Sequence, residues 1–575
     1  MADVAASDRD LASIHEARTL ARRAKQAQAA LAELSQEEID AIVDAMAAAA
    51  TEHAEATARH AVEETGYGVV ADKIQKNLFA SREVHRFIRP LKTVGVIRRD
   101  EARKLIEIAE PFGVVAAVVP STNPTSTTIY KALIAVKARC AIVLSPHPAA
   151  AGCITRIANV LIEAAGKAGA PEGAINVMQT VTLEGTQELM RHRDVAVILA
   201  TGGLGLVRSA YSAGKPAYGV GPGNAPAYIE RTADVAKAVR DIVTGKTFDN
   251  GVLCSSENSV VTDAAIVDQV RRAFSANGAY FLSAAEIDAV GRELVSPQRL
   301  PNPKLVGKSA PQIAAAAGID VPPETRVLIA ELAGVGREHP LSIEKLCPVL
   351  SFYVVKDWRE GCDRCKQILR YGGMGHTMSI HSNNDEVILE FGLKKPAFRI
   401  VVNTPTTHGS IGLTTGLNPA MTLGCGGYGG NITSDNISPL HLLNVKRLAY
   451  EVKSVQPAAA TTAPSTETPA LPRAPVSIRP TGLAADALTH RIDQFLSTRG
   501  VRAPLSALPP SPAPPPSPPA AEGAAGAAEF VCEEDVRLAH QEGRRIRIDD
   551  DTIVTPSARD YGAAHDLFIH SDWRG

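Results

Sequence analysis

The sequence predicts an α/β body of the doubly wound, parallel-sheet type, followed by a tail of linkers and small islands. Three observations carry this. Short, mostly apolar runs recur at Val114–Val119, Ala141–Leu144, Ile175–Val177 and Val195–Ala200. Helical stretches such as Thr155–Ala168 and Leu183–Arg191 separate several of them. Continuous apolar strands between helices are the mark of a parallel sheet covered on both faces. Third, 38 prolines outnumber 12 phenylalanines, 11 tyrosines and 2 tryptophans, so part of the chain is not core.

Along the chain, residues 8–62 are alanine-rich and helical in period. The strand–helix alternation follows, and a second α/β block runs from about 230 to 420. The proline collects in 455–481 and 503–528, which are rich in Pro, Ala, Thr and Ser. Such segments bury too little apolar surface to offset chain entropy and read as extended linkers. The folded body is therefore about 1–453. This shortens the three or four domain equivalents that 575 residues suggest.

Lysine and arginine total 60 against 62 aspartate and glutamate, a net charge of −2. Phosphate binding needs a basic excess, so nucleic acid is not expected as a partner. With 45% hydrophobic and 21% charged residues, the chain reads as globular, not collagen-like or disulfide-built. Met1–Asp10 lacks the basic and apolar regions of a signal peptide. No run of about 18 apolar residues predicts a membrane helix. The eight scattered cysteines read as free thiols in a reducing cytosol. Cys362 and Cys365 have redox- or metal-like spacing. They lack a second pair and fall in a helical stretch, so no metal site is expected.

Two motifs suggest chemistry. After the run at 195–200 comes Thr201-Gly202-Gly203-Leu204-Gly205, a strand, a glycine turn and a helix start. Such a turn lets backbone N–H groups meet a pyrophosphate, although alone it serves equally as a tight turn. Walker A is absent. In Phe248–Glu257, Cys254 follows a polar loop. A thiol at a helix N-terminus is a usable nucleophile, while spacing alone also fits a buried inert cysteine.

Eight stretches in order settle the matter differently. They are Glu64–Asn77, Glu110–Val115, Val119–Ser126, Ser145–Pro148, Gly219–Pro226, Phe248–Glu257, Gly375–Thr377 and Ser438–Asn444. Across about 1–450 they resemble the aldehyde dehydrogenase superfamily. The likeness is to its CoA-acylating branch, which includes the N-terminal half of bifunctional aldehyde–alcohol dehydrogenases and the microcompartment propionaldehyde and acetaldehyde dehydrogenases. The resemblance implies an aldehyde dehydrogenase-like fold of two doubly wound α/β domains plus a C-terminal oligomerisation segment. The expected borders are 1–229 for the NAD-binding domain, 230–424 for the thiol domain, and 425–453 for the return and oligomerisation strands. No alcohol dehydrogenase half follows 453.

The resemblance implies that Cys254 attacks an aldehyde, that a hydride passes to NAD, and that a thioester remains. Asn123 and the backbone N–H of Cys254 would hold the oxyanion. Glu344, in Glu344–Val349, would hold the nicotinamide ribose; Leu346 and Cys347 replace the Phe and Gly of hydrolytic relatives. Thr201, Gly202 and Gly203 would neighbour the pyrophosphate, with Pro120, Ser145 and His147 also on the cofactor side. His147 reads equally as a contact and as a loop cap. NADP stays open, because Lys137 and Arg139 could take a 2′-phosphate. Hydrolytic relatives carry a water-activating Glu in a Leu-Glu-Leu-Gly-Gly motif. Val220 stands there, beside Gly221, and valine cannot accept a proton. CoA is therefore the expected acyl acceptor. His376 and Cys425 are further active-site candidates; the glycine-rich 424–430 reads as a close-packing turn.

In 482–500, Leu488, Ile492, Phe495 and Leu496 form one apolar helical stripe between linkers 454–481 and 501–528. Such a helix, marginal alone, resembles the encapsulation peptides of bacterial microcompartments. Residues 529–575 read as helix, strand, turn, helix, and resemble a module appended to microcompartment enzymes. The expected partners are a short aldehyde, CoA, a second copy of the chain (dimer or tetramer) and a shell protein. The expected location is the bacterial cytoplasm, within a microcompartment lumen. Reductive use of the same residues, sulfoacetaldehyde as substrate, hydrolysis to free acid, and a scaffold that kept the fold are the rivals.

Overall fold

A computed structural model describes residues 2–453, 530–548 and 552–570, with His490 and Gln494. The chain divides into two units, 1–458 and 459–575. The helical reading of the N-terminus is met by helices Ala2–Ala32, Gln36–Glu52 and Ala54–Thr65. The second starts with a capping box: Ser35 Oγ accepts from Glu38 N–H at 3.2 Å, and the Glu38 carboxylate accepts from Ser35 N–H at 2.8 Å. Its buried face is Ile39, Ile42, Val43 and Met46, spaced as one helical stripe.

The strands of the larger unit begin with β1 (Gly95–Asp100), β2 (Leu105–Pro111), β3 (Val114–Val119), β4 (Ile142–Pro146) and β5 (Ile175–Val177). Next come β6 (Val195–Thr201), β7 (Ala217–Val220), β8 (Ala225–Ile229), β9 (Glu257–Asp263) and β10 (Ala279–Phe281). The last are β11 (Val327–Glu331), β12 (Val349–Val355), β13 (Gly375–His381), β14 (Ala397–Val402) and β15 (Leu443–Ala449).

Five strands form a parallel sheet in the order β5-β4-β3-β6-β7. β3 is buried at every position, as its unbroken apolar run requires. The strand order reverses between β3 and β6. The loops leaving their C-terminal ends therefore diverge and open a crevice, the usual ligand position in such sheets. Seven strands form a second parallel sheet, β10-β11-β12-β9-β8-β13-β14.

The border between the two sheets differs from the expected 229/230. β8 pairs with β9 and β13, so the chain crosses at Gly221–Asn224, directly after β7. The sequence reading also lacked a third sheet, in which β1, β2 and β15 pair antiparallel. It draws 443–449 back alongside 105–111. Pro148–Lys167 is long and apolar enough by composition to cross a membrane. Here its helix Ala151–Lys167 turns Ile154, Ile157 and Leu161 into the core, and the Glu64 carboxylate accepts from the N–H groups of Gly152 and Cys153 at its start. Cys362 and Cys365 lie on the buried face of helix Trp358–Tyr371, and Cys362 contacts Lys395.

The smaller unit contains β16 (Phe530–Val531), helix Glu533–Gln541, β17 (Ile546–Ile548), β18 (Ile553–Val554), helix Pro556–Ala564 and β19 (Phe568–His570). β16 pairs parallel with β18, and β17 with β19. The module is thus strand–helix–strand twice, where the sequence reading had helix, strand, turn, helix. Cys532 and Thr555 occupy equivalent N-cap positions, and Gly543 and Asp566 take equivalent left-handed turns. The linkers 454–481 and 501–528 lie outside the described residues. So does helix 482–500, apart from His490 and Gln494.

Candidate active site

A cleft of about 460 Å³ opens where the two large sheets face each other. The five-stranded sheet lends it the C-terminal ends of its strands. Pro120 and Asn123 follow β3, His147 follows β4, Gly202 and Gly203 follow Thr201 of β6, and Gly221 follows Val220 of β7. The seven-stranded sheet lends the segments leading into its strands: Cys254 ahead of β9, and Glu344 and Leu346 ahead of β12.

The cofactor side fits a dinucleotide. Helix Leu204–Tyr211 starts at Gly203 with no side-chain cap, leaving its first N–H groups for a ligand. A Cβ at Gly203 would meet nothing within 4 Å, so the approach is open. Thr201 Oγ1 is buried without a hydrogen-bond partner. His147 lines the cleft, and its Nδ1 accepts from Ala149 N–H at 3.1 Å, capping a short 3₁₀ turn. Ser145 is placed differently. It is fully buried, its Oγ lies 2.8 Å from Thr186 Oγ1, and Thr186 rather than Ser145 meets the cleft. Lys137 and Arg139 are also elsewhere. Lys137 binds Asp40 and the Arg89 carbonyl, and Arg139 binds the carbonyls of Ala32 and Ala109, at the opposite end of β4. Neither lines the cleft.

Cys254 is not at a helix N-terminus. It sits in a turn between the 3₁₀ segment Phe248–Gly251 and β9, partly exposed. Burial of the thiol, the carboxyl of Glu344 and the thiol of Cys425 push it up to about 12. The Arg399 guanidinium and its own backbone N–H pull the other way. Glu344 Oε1 accepts from Gly223 N–H at 2.8 Å, and burial pushes its carboxyl up to about 8. Gly223 is pressed against the thiol loop. A Cβ there would lie 2.1 Å from the Cys254 carbonyl oxygen, so no other residue fits.

His376 and Cys425 stand one layer behind the cleft wall. His376 Nδ1 lies 3.0 Å from Thr377 Oγ1 and its Nε2 has no partner. Burial, then Arg399, pushes its imidazole down to about 3, so it is neutral. Burial pushes the Cys425 thiol up to about 11. Neither residue lines the cleft. Arg399 spans this layer, donating to Thr377 Oγ1 and to the carbonyls of Ser434 and Gly424.

Sequence reasoning missed one cluster. Lys73 and Lys76, on one face of helix Val70–Leu78, are both buried against the fully buried Asp249. Asp249 belongs to the thiol loop and takes a left-handed backbone with φ 51°. Gly68 makes the approach possible. Its φ is 78°, and a Cβ there would lie 1.8 Å from Asp249 Oδ1. The available signal was two lysines three apart in a stretch otherwise half apolar, since buried cations need partners.

The site is thus a switch-point crevice of an α/β protein, faced by a single cysteine of the second sheet. A model described as the aldehyde dehydrogenase family matches residues 4–280. A solved acetylating aldehyde dehydrogenase from Geobacillus thermoglucosidasius is 50% identical, with a TM-score of 0.77, over 78% of this chain and 99% of that one. A propionaldehyde dehydrogenase from the fucose utilisation bacterial microcompartment of Clostridium phytofermentans is 29% identical, with a TM-score of 0.68, over 75% of this chain and 96% of that one. The bifunctional aldehyde-alcohol dehydrogenase AdhE of Escherichia coli K12 is 41% identical over 448 residues, 77% of this chain and 50% of AdhE. The chain spans about half the length of that curated relative. It belongs to the aldehyde dehydrogenase family, in the CoA-acylating branch.

Proposed function

We propose that the protein converts a short-chain aldehyde and CoA to acyl-CoA, reversibly, with Cys254 as acyl carrier and NAD as the redox partner. The observation that carries this is a cleft that holds Cys254 and Asn123 together with a valine, not a carboxylate, at 220. The Cys254 thiol releases its proton to water, and its sulfur bonds to the carbonyl carbon while the C=O π pair moves to the oxygen. The oxygen takes the negative charge and is held by the Asn123 amide and the Cys254 N–H. NAD, when bound, accepts the hydride that leaves this carbon. Reformation of the C=O then leaves a thioester on Cys254. The CoA thiolate attacks that carbonyl, the new C–S bond forms, and the Cys254 C–S bond breaks, freeing the enzyme.

Glu344 is the one carboxylate among the lining residues, and the Gly223 N–H already engages it. Water therefore lacks the base that a carboxylate at 220 would supply, and a thiol that is nucleophilic by itself takes the acyl group. Among the described residues, the lining contains no lysine or arginine to meet a 2′-phosphate, which supports NAD over NADP. Val220→Glu restores a base at the end of β7. NADH formation without CoA is expected to rise at least about tenfold in this variant, measured as steady turnover on a short aldehyde. No rise would contradict the role assigned to position 220.

We also read the protein as a homo-oligomer working in a bacterial microcompartment. Edge strand β14 exposes Phe398 and Val402, and edge strand β15 exposes Leu448, which supports subunit contacts. The apolar stripe of 482–500, between proline-rich linkers, supports docking to a shell protein. One relative named above comes from such a compartment.

A further inference from the structure

We propose that Lys76 is a positioning residue that aims the Asn123 amide at the substrate oxygen. This rests on the reading of Asn123 as an oxyanion donor. Asn123 occupies the N-cap of helix Pro124–Lys137, with φ −133° and ψ 55°. An asparagine there ordinarily turns its side-chain oxygen back to accept from the helix's first N–H groups. This one makes no such cap. Its Oδ1 instead accepts from Lys76 Nζ at 2.5 Å.

Burial pulls the Lys76 amine down to about 7, but the buried Asp249 carboxylate faces it and favours the ammonium, which only donates, so the amide atom facing Lys76 is the oxygen. The NH₂ is thereby fixed on the other side. Among the described residues, its one hydrogen bond there is a long 3.3 Å contact to Thr122 Oγ1. The remaining hydrogen is left for a ligand. A cation on Oδ1 also polarises the amide and strengthens its N–H as a donor.

The same helix fixes the other half of the site. Lys76 and Lys73 both donate to Asp249 Oδ2, and Lys73 also donates to the Thr122 carbonyl at 3.1 Å. Asp249 Oδ1 accepts from Val69 N–H at 2.7 Å, and Asp249 N–H donates to Asp72 at 2.7 Å. The loop carrying Asn123 and the loop leading to Cys254 therefore hang from one pair of buried lysines. Without Lys76, the amide is free to swing back and cap its own helix.

The test is a double-mutant cycle on the full chain, reading kcat and the KM for NAD in wild type, Lys76→Met, Asn123→Ala and the double variant. Lys76→Met is expected to lower kcat about 10- to 100-fold, with the KM for NAD within about twofold. In the Asn123→Ala background the same change should cost less than about threefold, because the amide it aims is gone. A Lys76→Met variant as active as wild type would overturn the proposal, as would a loss that recurs in full beside Asn123→Ala. An Asn123→Ala variant with unchanged kcat would remove the oxyanion reading itself, and the proposal with it. Removing Lys76 leaves Asp249 facing Lys73 alone. Should Lys76→Met not fold, Lys76→Met with Asp249→Asn removes both charges and is taken through the same cycle, against Asp249→Asn alone and with the same two outcomes deciding.

Discussion

Cys254→Ala is expected to abolish NADH formation, lowering turnover by roughly 10⁴-fold or more. Alanine fills nearly the same space, so the loss reads the sulfur and not the packing. No other thiol of the larger unit is open to replace it: Cys140, Cys153, Cys347, Cys362, Cys365 and Cys425 are buried. Cys425 shares the neighbourhood but is covered, and does not line the cleft. The Cys254 thiol is protonated at rest, pushed up to about 12 by its burial and by Glu344. A serine, still less acidic, is no substitute. NAD binding by Cys254→Ala, followed by fluorescence or calorimetry, should persist, because the cofactor side is built from other strands. Retained turnover would move the nucleophile elsewhere.

Asn123→Ala is expected to lower kcat about 10²- to 10³-fold, equivalent to about 2.7–4 kcal/mol of transition-state stabilisation. The KM for NAD should change little. The amide donates without carrying charge, so it favours the oxyanion over the neutral carbonyl and acts mainly in the transition state. A structural role predicts the opposite pattern. Asn123 makes no cap bond to its helix, so alanine there should cost little stability. A variant with unchanged kcat and a lowered melting temperature would make Asn123 a packing residue.

Much of this was legible before the structure. The runs at 114–119, 175–177 and 195–200 became β3, β5 and β6 because continuous burial leaves no alternation to misread. The glycine turn after β6 was legible because a strand end, two glycines and a helix start are local features. The third sheet was not. β15 pairs with β2 across more than 300 residues, and nothing local in 443–449 announces its partner. The domain border was misplaced because β8 is apolar like the strands before it, and only its partners assign it to the second sheet.

The site was legible unevenly. Cys254, Asn123, Glu344 and Val220 were singled out through the family resemblance, and all four line one cleft. Ser145 was misplaced because a serine at a strand end gives no sign of which way it points; it turns inward to Thr186. Lys137 and Arg139 were misplaced because they precede β4, and the crevice lies past its other end. Lys76 was invisible because its meaning depends on Asp249, 173 residues away.

The central claim is that the acyl group leaves Cys254 for a thiol and not for water. The most direct measurement is NADH formation from a short aldehyde, with NAD, in the presence and absence of CoA. Steady turnover should require CoA, and without it NADH should stop near one equivalent per active site, as the thioester accumulates. Full steady turnover without CoA, giving free acid, would contradict the account.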